Sequence, residues 1–112
     1  MKDHIAYADF EKVEIRTGTI LEAEDFPGAK KPAYQLTIDF GDLGIKRSSA
    51  QITTHYTKEE LTGKQIVAVV NFPAKQIKNF FSECLVLGAI QEDGSVILLE
   101  TERKVVDGLR IA

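Results

Sequence analysis

The sequence predicts an all-β fold, a small barrel of five strands, and three observations predict it. Two segments, "VEIRTGTILEAED" and "YQLTIDF", alternate apolar and polar residues with the period of a half-buried strand. Gly18 falls where the apolar residues of the first segment change parity, the place for a bulge or sharp bend that lets a small sheet close. The clearest helix signals, at residues 56–63, stand between the third and fourth strands. Five strands, a bent first one and a short helix after the third describe the OB-fold, the barrel that binds oligonucleotides and oligosaccharides.

The elements follow in order. "AYADFEKV" makes a helical turn leading into the first strand, and "FPGAKKPA" a turn punctuated by Pro27-Gly28 and Pro32, with Lys30 and Lys31 at its tip. In the second strand Tyr34, Leu36, Ile38 and Phe40 share one face, opposite Gln35, Thr37 and Asp39. "GDLG" turns the chain into "IKRSSAQI", where Ser48, Ser49 and Ala50 either admit a ligand or another backbone, or make a tightly packed strand. Thr57 and Glu60 form a capping box, Tyr56 and Leu61 a hydrophobic staple, and Gly63 a left-handed stop. "QIVAVVNF" and "CLVLGAIQ", strands four and five, are apolar on both faces, so one face fills the barrel and the other needs a cover. "SVILLETERKVVDGLRIA" adds a short strand or two and a tail beyond a minimal barrel. Strands four and five with the terminal extensions therefore read as a homodimer interface.

At 112 residues the chain is one domain, 1–112, with a core modest enough to gain from subunit contacts. Its longest apolar runs are strand length and "MKDHIAYADF" lacks an apolar signal region, which places the protein in the cytoplasm without membrane insertion. The lone Cys84, inside an apolar run, reads as a buried core thiol. A net charge of −3 argues against a nucleic-acid partner until its distribution is considered. Residues 43–82 carry six basic and two acidic side chains, the remainder eight and fifteen, so the two parts stand at +4 and −7. Such asymmetry suits one face turned to a polyanion and another kept soluble by acids; ordinary solvated charge is the other reading.

Little in the chain supports catalysis. His4 and His55 lack ligand spacing, Glu59 and Glu60 suit the first turn of a helix, and Ser48, Ser49 and Ser82 stand in no nucleophile elbow. A binding protein without cofactor or metal is expected. The positive constellation is Lys30, Lys31, Lys46, Arg47, Lys75 and Lys78 interleaved with Tyr34, Phe72, Phe80 and Phe81, and the OB-fold's binding loops fall on "DFPGAKKPA" and "NFPAKQIKNFFSE". Phosphate charges and unstacked bases call for this mixture. Parity places Tyr34 and Phe72 with the core.

"DFEKVEIRTGTILEAEDFPGAKKPAYQLTIDFG", "YTKEELTGKQIVAVVNF", "SECLVLGA" and the ending "VVDGLRIA" resemble the tRNA-binding domain found at the C-terminus of some methionyl-tRNA synthetases and as free-standing dimers. Within that family the likeness is greatest to its bacterial secretion-chaperone-like branch. The resemblance implies an OB-fold homodimer that binds tRNA without strict sequence readout, and unfolded or export-bound polypeptides, in contact with the secretion machinery. Carried over by motif, its nucleic-acid-binding positions fall on Lys30, Lys31, Asn71, Lys75, Lys78 and Ser82, which join Lys46 and Arg47. The family's "S-E-G-M" block is Ser82-Glu83-Cys84-Leu85 here, and its "V-S-G-I" is "SAQI" at Ser49 to Ile52.

Two function classes follow, an RNA-binding module and a polypeptide-binding chaperone without physiological tRNA binding. For polypeptides the residues are Phe72, Phe80, Phe81 and Leu85. Neighbouring side chains in a strand point to opposite faces, so of Phe80 and Phe81 one enters the barrel or the dimer seam and the other lines an apolar patch. The sequence leaves open which does which.

Overall fold

In the computed structural model, which describes all of Met1–Ala112, the alternation of "YQLTIDF" becomes β2 (Tyr34–Asp39), with Tyr34, Leu36 and Ile38 buried and their neighbours half-buried. It pairs antiparallel on one side with β1 (Ile15–Asp25) and on the other with β3 (Ile45–Ala50), which follows a 3-10 turn at Gly41–Leu43. The main sheet has the order β3-β2-β1-β4-β7, where β4 is Gln65–Val69 and β7 is Leu85–Val86. Its two edges meet where Glu83 N donates to Arg47 O at 2.7 Å and Ser48 Oγ donates to Cys84 O at 2.9 Å. The result is the nearly closed five-stranded OB-type barrel that the sequence predicts. Ile20, Leu36, Ile38, Phe40, Leu61 and Ile66 are wholly buried within it. Each contributes about 1.5–3 kcal/mol through the apolar surface it removes from water.

The bend in β1 is not at Gly18. Register with β4 runs unbroken from Ile15 to Thr19, and the shift against β2 lies between Ile20 and Glu22, so Leu21 is the bulged residue. Gly18 is needed for room: a Cβ there would stand 2.7 Å from Phe40 Cδ1 and Cε1 and 2.8 Å from Ile38 Cγ2. The apparent parity change arises because the opposite face of the strand is also covered. There Thr17 Oγ1 donates to Val106 O and Thr19 Oγ1 to Asp107 Oδ1, while along the strand's edge Thr17 N donates to Leu109 O, Gly108 N to Thr17 O and Ile111 N to Ile15 O.

Helix α2 (Lys58–Leu61) carries the expected cap, with Glu60 N donating to Thr57 Oγ1 at 3.2 Å and Thr57 N to Glu60 Oε1 at 3.0 Å. Gly63 takes a left-handed φ of 90° and its N–H donates to Ile20 O, which ties the helix to β1. At the N-terminus α1 (Tyr7–Glu11) is a single turn with no buried residue. No helix is long and apolar enough to cross a membrane.

Three expectations change. The loop after β4 contains its own hairpin, β5 (Lys75–Ile77) with β6 (Phe80–Ser82). The fifth strand is split: β7 stays with β4, whereas β8 (Gly88–Ile90) leaves the sheet to pair with β9 (Val96–Leu98). Gly88 permits that approach, since a Cβ would meet Ile97 O at 2.9 Å. Strand β4 needs no second subunit for its outer face, because Val67 and Val69 are already buried in one chain. Ile90, Ile97, Leu99, Val106 and Leu109, from β8 onward, remain exposed.

Candidate nucleic-acid interface

The β5–β6 hairpin settles the roles of its two phenylalanines. Ile77 pairs with Phe80 across a two-residue turn, so both point inward, and Phe81 pairs with Gln76 on the outer face. Phe80 is 4% exposed and Phe81 55%. Phe80 packs at 5.4 Å between ring centroids against Phe26, and with Ala33 these form a satellite cluster apart from the barrel core. Phe26 and Ala33 flank the "PGAKKP" turn. The cluster therefore clamps that turn onto the hairpin and brings Lys30 and Lys31 to Lys75 and Lys78.

The four lysines line one groove of about 540 Å³, together with Ala29, Ala33, Ser49, Gln51, Gln76 and Ile77. No carboxylate borders it, and none of the four takes part in the molecule's five ion pairs. Their mutual repulsion is thus left for an anion to relieve. Lys78 occupies the turn with φ 55°, a left-handed conformation that glycine or asparagine would adopt more readily. Gln76 Nε2 donates to Lys78 O at 2.9 Å and supports it. The Lys78 stem crosses Gly28, where a Cβ would stand 3.3 Å from Lys78 Cε.

Beside this groove Arg47 lies over the Phe80 ring, 4.5 Å from its centroid. Its backbone N–H donates to Glu83 Oε1 at 2.9 Å, and Arg47 lines a second hollow with Gln35, Lys78 and Asn79. The remaining expected contacts stand elsewhere. Lys46 alternates with Arg47 onto the Ser48 side of β3 and lines neither hollow. Asn71 uses its side chain to hold the N-terminal segment: Glu14 N donates to Asn71 Oδ1 at 3.0 Å and Asn71 Nδ2 donates to Lys12 O at 2.7 Å. Ser82 Oγ accepts from Ser49 N at 3.2 Å across the barrel seam.

An apolar groove of about 270 Å³ adjoins the hairpin's other face, lined by Phe72, Pro73, Lys75, Ser82, Glu83, Cys84 and Leu85. Phe72 is 53% exposed and Leu85 49%, so Phe72 is not the core residue that parity suggests, while Tyr34 is. Val69 ends β4, and alternation carries no information past a strand's end. Phe80 is buried and does not line this groove, and Phe81 lies on the hairpin face opposite to it. Cys84 is buried as expected, and burial pushes its thiol up to about 11, opposed by hydrogen bonding with Ser48.

Sequence reasoning missed Gln51 and Gln76 as groove residues. Gln76 stands between two loop lysines, a signal that was there to use; Gln51 lies beyond the end of β3 and reaches the groove only through tertiary placement.

Comparison with known proteins agrees with this architecture. A family model described as "Putative tRNA binding domain" matches residues 15–110. The crystal structure of chaperone CsaA from Bacillus anthracis is 48% identical with a TM-score of 0.94, covering 98% of this chain and 100% of that one. The CsaA chaperone protein of Picrophilus torridus is 56% identical with a TM-score of 0.90, covering 97% and 100%. A methionine–tRNA ligase of Porphyromonas gingivalis is 38% identical over 109 residues, which are 97% of this chain and 16% of that enzyme. The chain thus spans about a sixth of the length of the curated relatives it matches.

Proposed function

The chain belongs to the tRNA-binding-domain family, and from that premise we propose that it binds tRNA without strict sequence readout, as a binding protein and not a catalyst. One observation carries the reading: Lys30, Lys31, Lys75 and Lys78 line a single groove that no carboxylate borders. The test is anisotropy of labelled bulk tRNA over a range of salt. About four phosphate contacts give a log–log slope near −3 to −4, and absence of binding at low salt would refute the reading.

A second activity, chaperone-like binding of unfolded or export-bound polypeptides, is favoured by the half-exposed Phe72 and Leu85 beside Pro73. Two solved relatives bear the name chaperone. Apolar contacts respond weakly to salt, so Phe72→Ser should weaken capture of an unfolded polypeptide while leaving tRNA binding unchanged. If tRNA binding proves absent, this export-related role is the function that remains. We further propose a cytoplasmic homodimer joined through the exposed apolar residues of β8, β9 and the tail. Analytical ultracentrifugation checks it, and a monomer at micromolar concentration would refute it.

A further inference from the structure

An exposed aromatic ring, two amides and a hydroxyl accompany the lysines, and phosphate binding alone uses none of them. Phe81 is forced outward by the burial of Phe80, and stands directly across the hairpin from Gln76, which lines the groove. Side chains so paired share a face with Cβ atoms about 5 Å apart, so Phe81 stands beside Gln76, just outside the groove's lining. Inside it, neither the Gln51 side chain nor the Ser49 hydroxyl has a hydrogen-bond partner in the protein, and Gln76 Oε1 is free to accept. Duplex RNA buries its base faces in the stack and offers an exposed aromatic ring nothing to stack on.

We propose that this site takes an unpaired nucleotide, with its phosphate among Lys30, Lys31, Lys75 and Lys78, its base edge on Gln51 and Gln76, and an adjoining base stacked on Phe81. The proposal rests on the RNA reading and narrows it from tRNA as a shape to the single-stranded parts of that molecule. The groove's volume of about 540 Å³ lies within the range of about 300–1,000 Å³ that holds small ligands and is large enough for one nucleotide. The left-handed Lys78 fits as well. A lysine held where glycine would be less strained points to a use for its ammonium at that spot.

The sequence contains no tryptophan, so Phe81→Trp introduces a single reporter at an exposed position. Its fluorescence is followed while a short single-stranded oligoribonucleotide of mixed sequence, or a blunt RNA duplex with the same number of phosphates, is added at low salt. The expected result is quenching by the single strand and not by the duplex. Phe81→Ala should weaken single-strand binding about tenfold and leave duplex binding unchanged, with circular dichroism verifying the fold, and Gln51→Ala should act in the same direction. Equal affinity for both RNAs without quenching would overturn this inference and leave the RNA reading standing. Failure of both RNAs, and of bulk tRNA, to bind at low salt would overturn the RNA reading and the inference with it.

Discussion

The guanidinium of Arg47 covers the ring of Phe80 at 4.5 Å from the centroid, and this contact couples the outer face of β3 to the cluster that holds the two lysine loops together. A partly exposed stack of this kind contributes about 0.5–1 kcal/mol. Arg47→Ala should therefore lower the melting temperature by a few degrees and make the salt slope of tRNA binding shallower by about 0.7–0.9. Arg47→Lys should restore the slope without restoring the melting temperature, since lysine supplies the charge and not the planar stack.

Replacing Lys75 and Lys78 together with alanine should reduce the magnitude of the salt slope by about 1.4–1.8. Lys104, exposed on the tail and outside the groove, is the control, and Lys104→Ala should leave both slope and affinity unchanged. Polypeptide binding should be unaffected by Lys78→Ala alone or by Lys104→Ala, since neither residue lines the apolar groove.

Gly18→Ala tests whether that glycine serves space instead of bending. Its new methyl would collide with Phe40 and Ile38, both wholly buried and unable to withdraw, at a cost of about 1–3 kcal/mol from overpacking. Urea titration measures the loss. A variant with unchanged stability would show that β1 tolerates a side chain there.

Thr17 is buried, and its hydroxyl donates to Val106 O at 2.8 Å while accepting from Leu109 N at 2.9 Å. Thr17→Val keeps the shape and leaves both tail groups without their partner, at about 1–3 kcal/mol. The tail should loosen first, seen as faster tryptic cleavage after Arg103 and Lys104 under native conditions.

The pH dependence of stability should carry the signature of Cys84. Folding holds the thiol neutral up to about pH 11, against an ordinary value of 9.0. As pH rises from 9 towards 11, the unfolded state ionises first and gains free energy, so stability falls across that window. The full difference approaches about 3 kcal/mol. Cys84→Ala should lack this component when the two stability curves are compared, and the native thiol should resist alkylation at pH 8.

The sequence made the barrel's regular parts readable. Tyr34, Leu36 and Ile38 alternate because one face of β2 meets water and the other the core, and Thr57 with Glu60 caps α2 through local contacts alone. Legibility failed where one residue answers to distant partners. Gly18 looked like a bend because the tail conceals β1's other face, and the hairpin in the lysine loop was hidden by a turn of Lys78 and Asn79 without the usual glycine. Of the site, Lys30, Lys31, Lys75 and Lys78 come together because two loops of an OB-fold converge by topology, whereas Lys46 stands apart. Asn71 and Ser82 were drawn to structural tasks by backbone groups far away in sequence, which no local pattern reveals.

Strand β1 pairs with β2 over Thr19–Asp25, with β4 over Ile15–Thr19, and along its remaining edge with residues 108–111. During synthesis, then, β1 leaves the ribosome about ninety residues before the segment 108–111 that completes its edge. Until that segment emerges, the amide of Thr17 stays open to water or to another nascent chain. Contacts of such long sequence separation slow folding, and they make completion of the β1 edge a later event than closure of the barrel at Arg47 and Glu83.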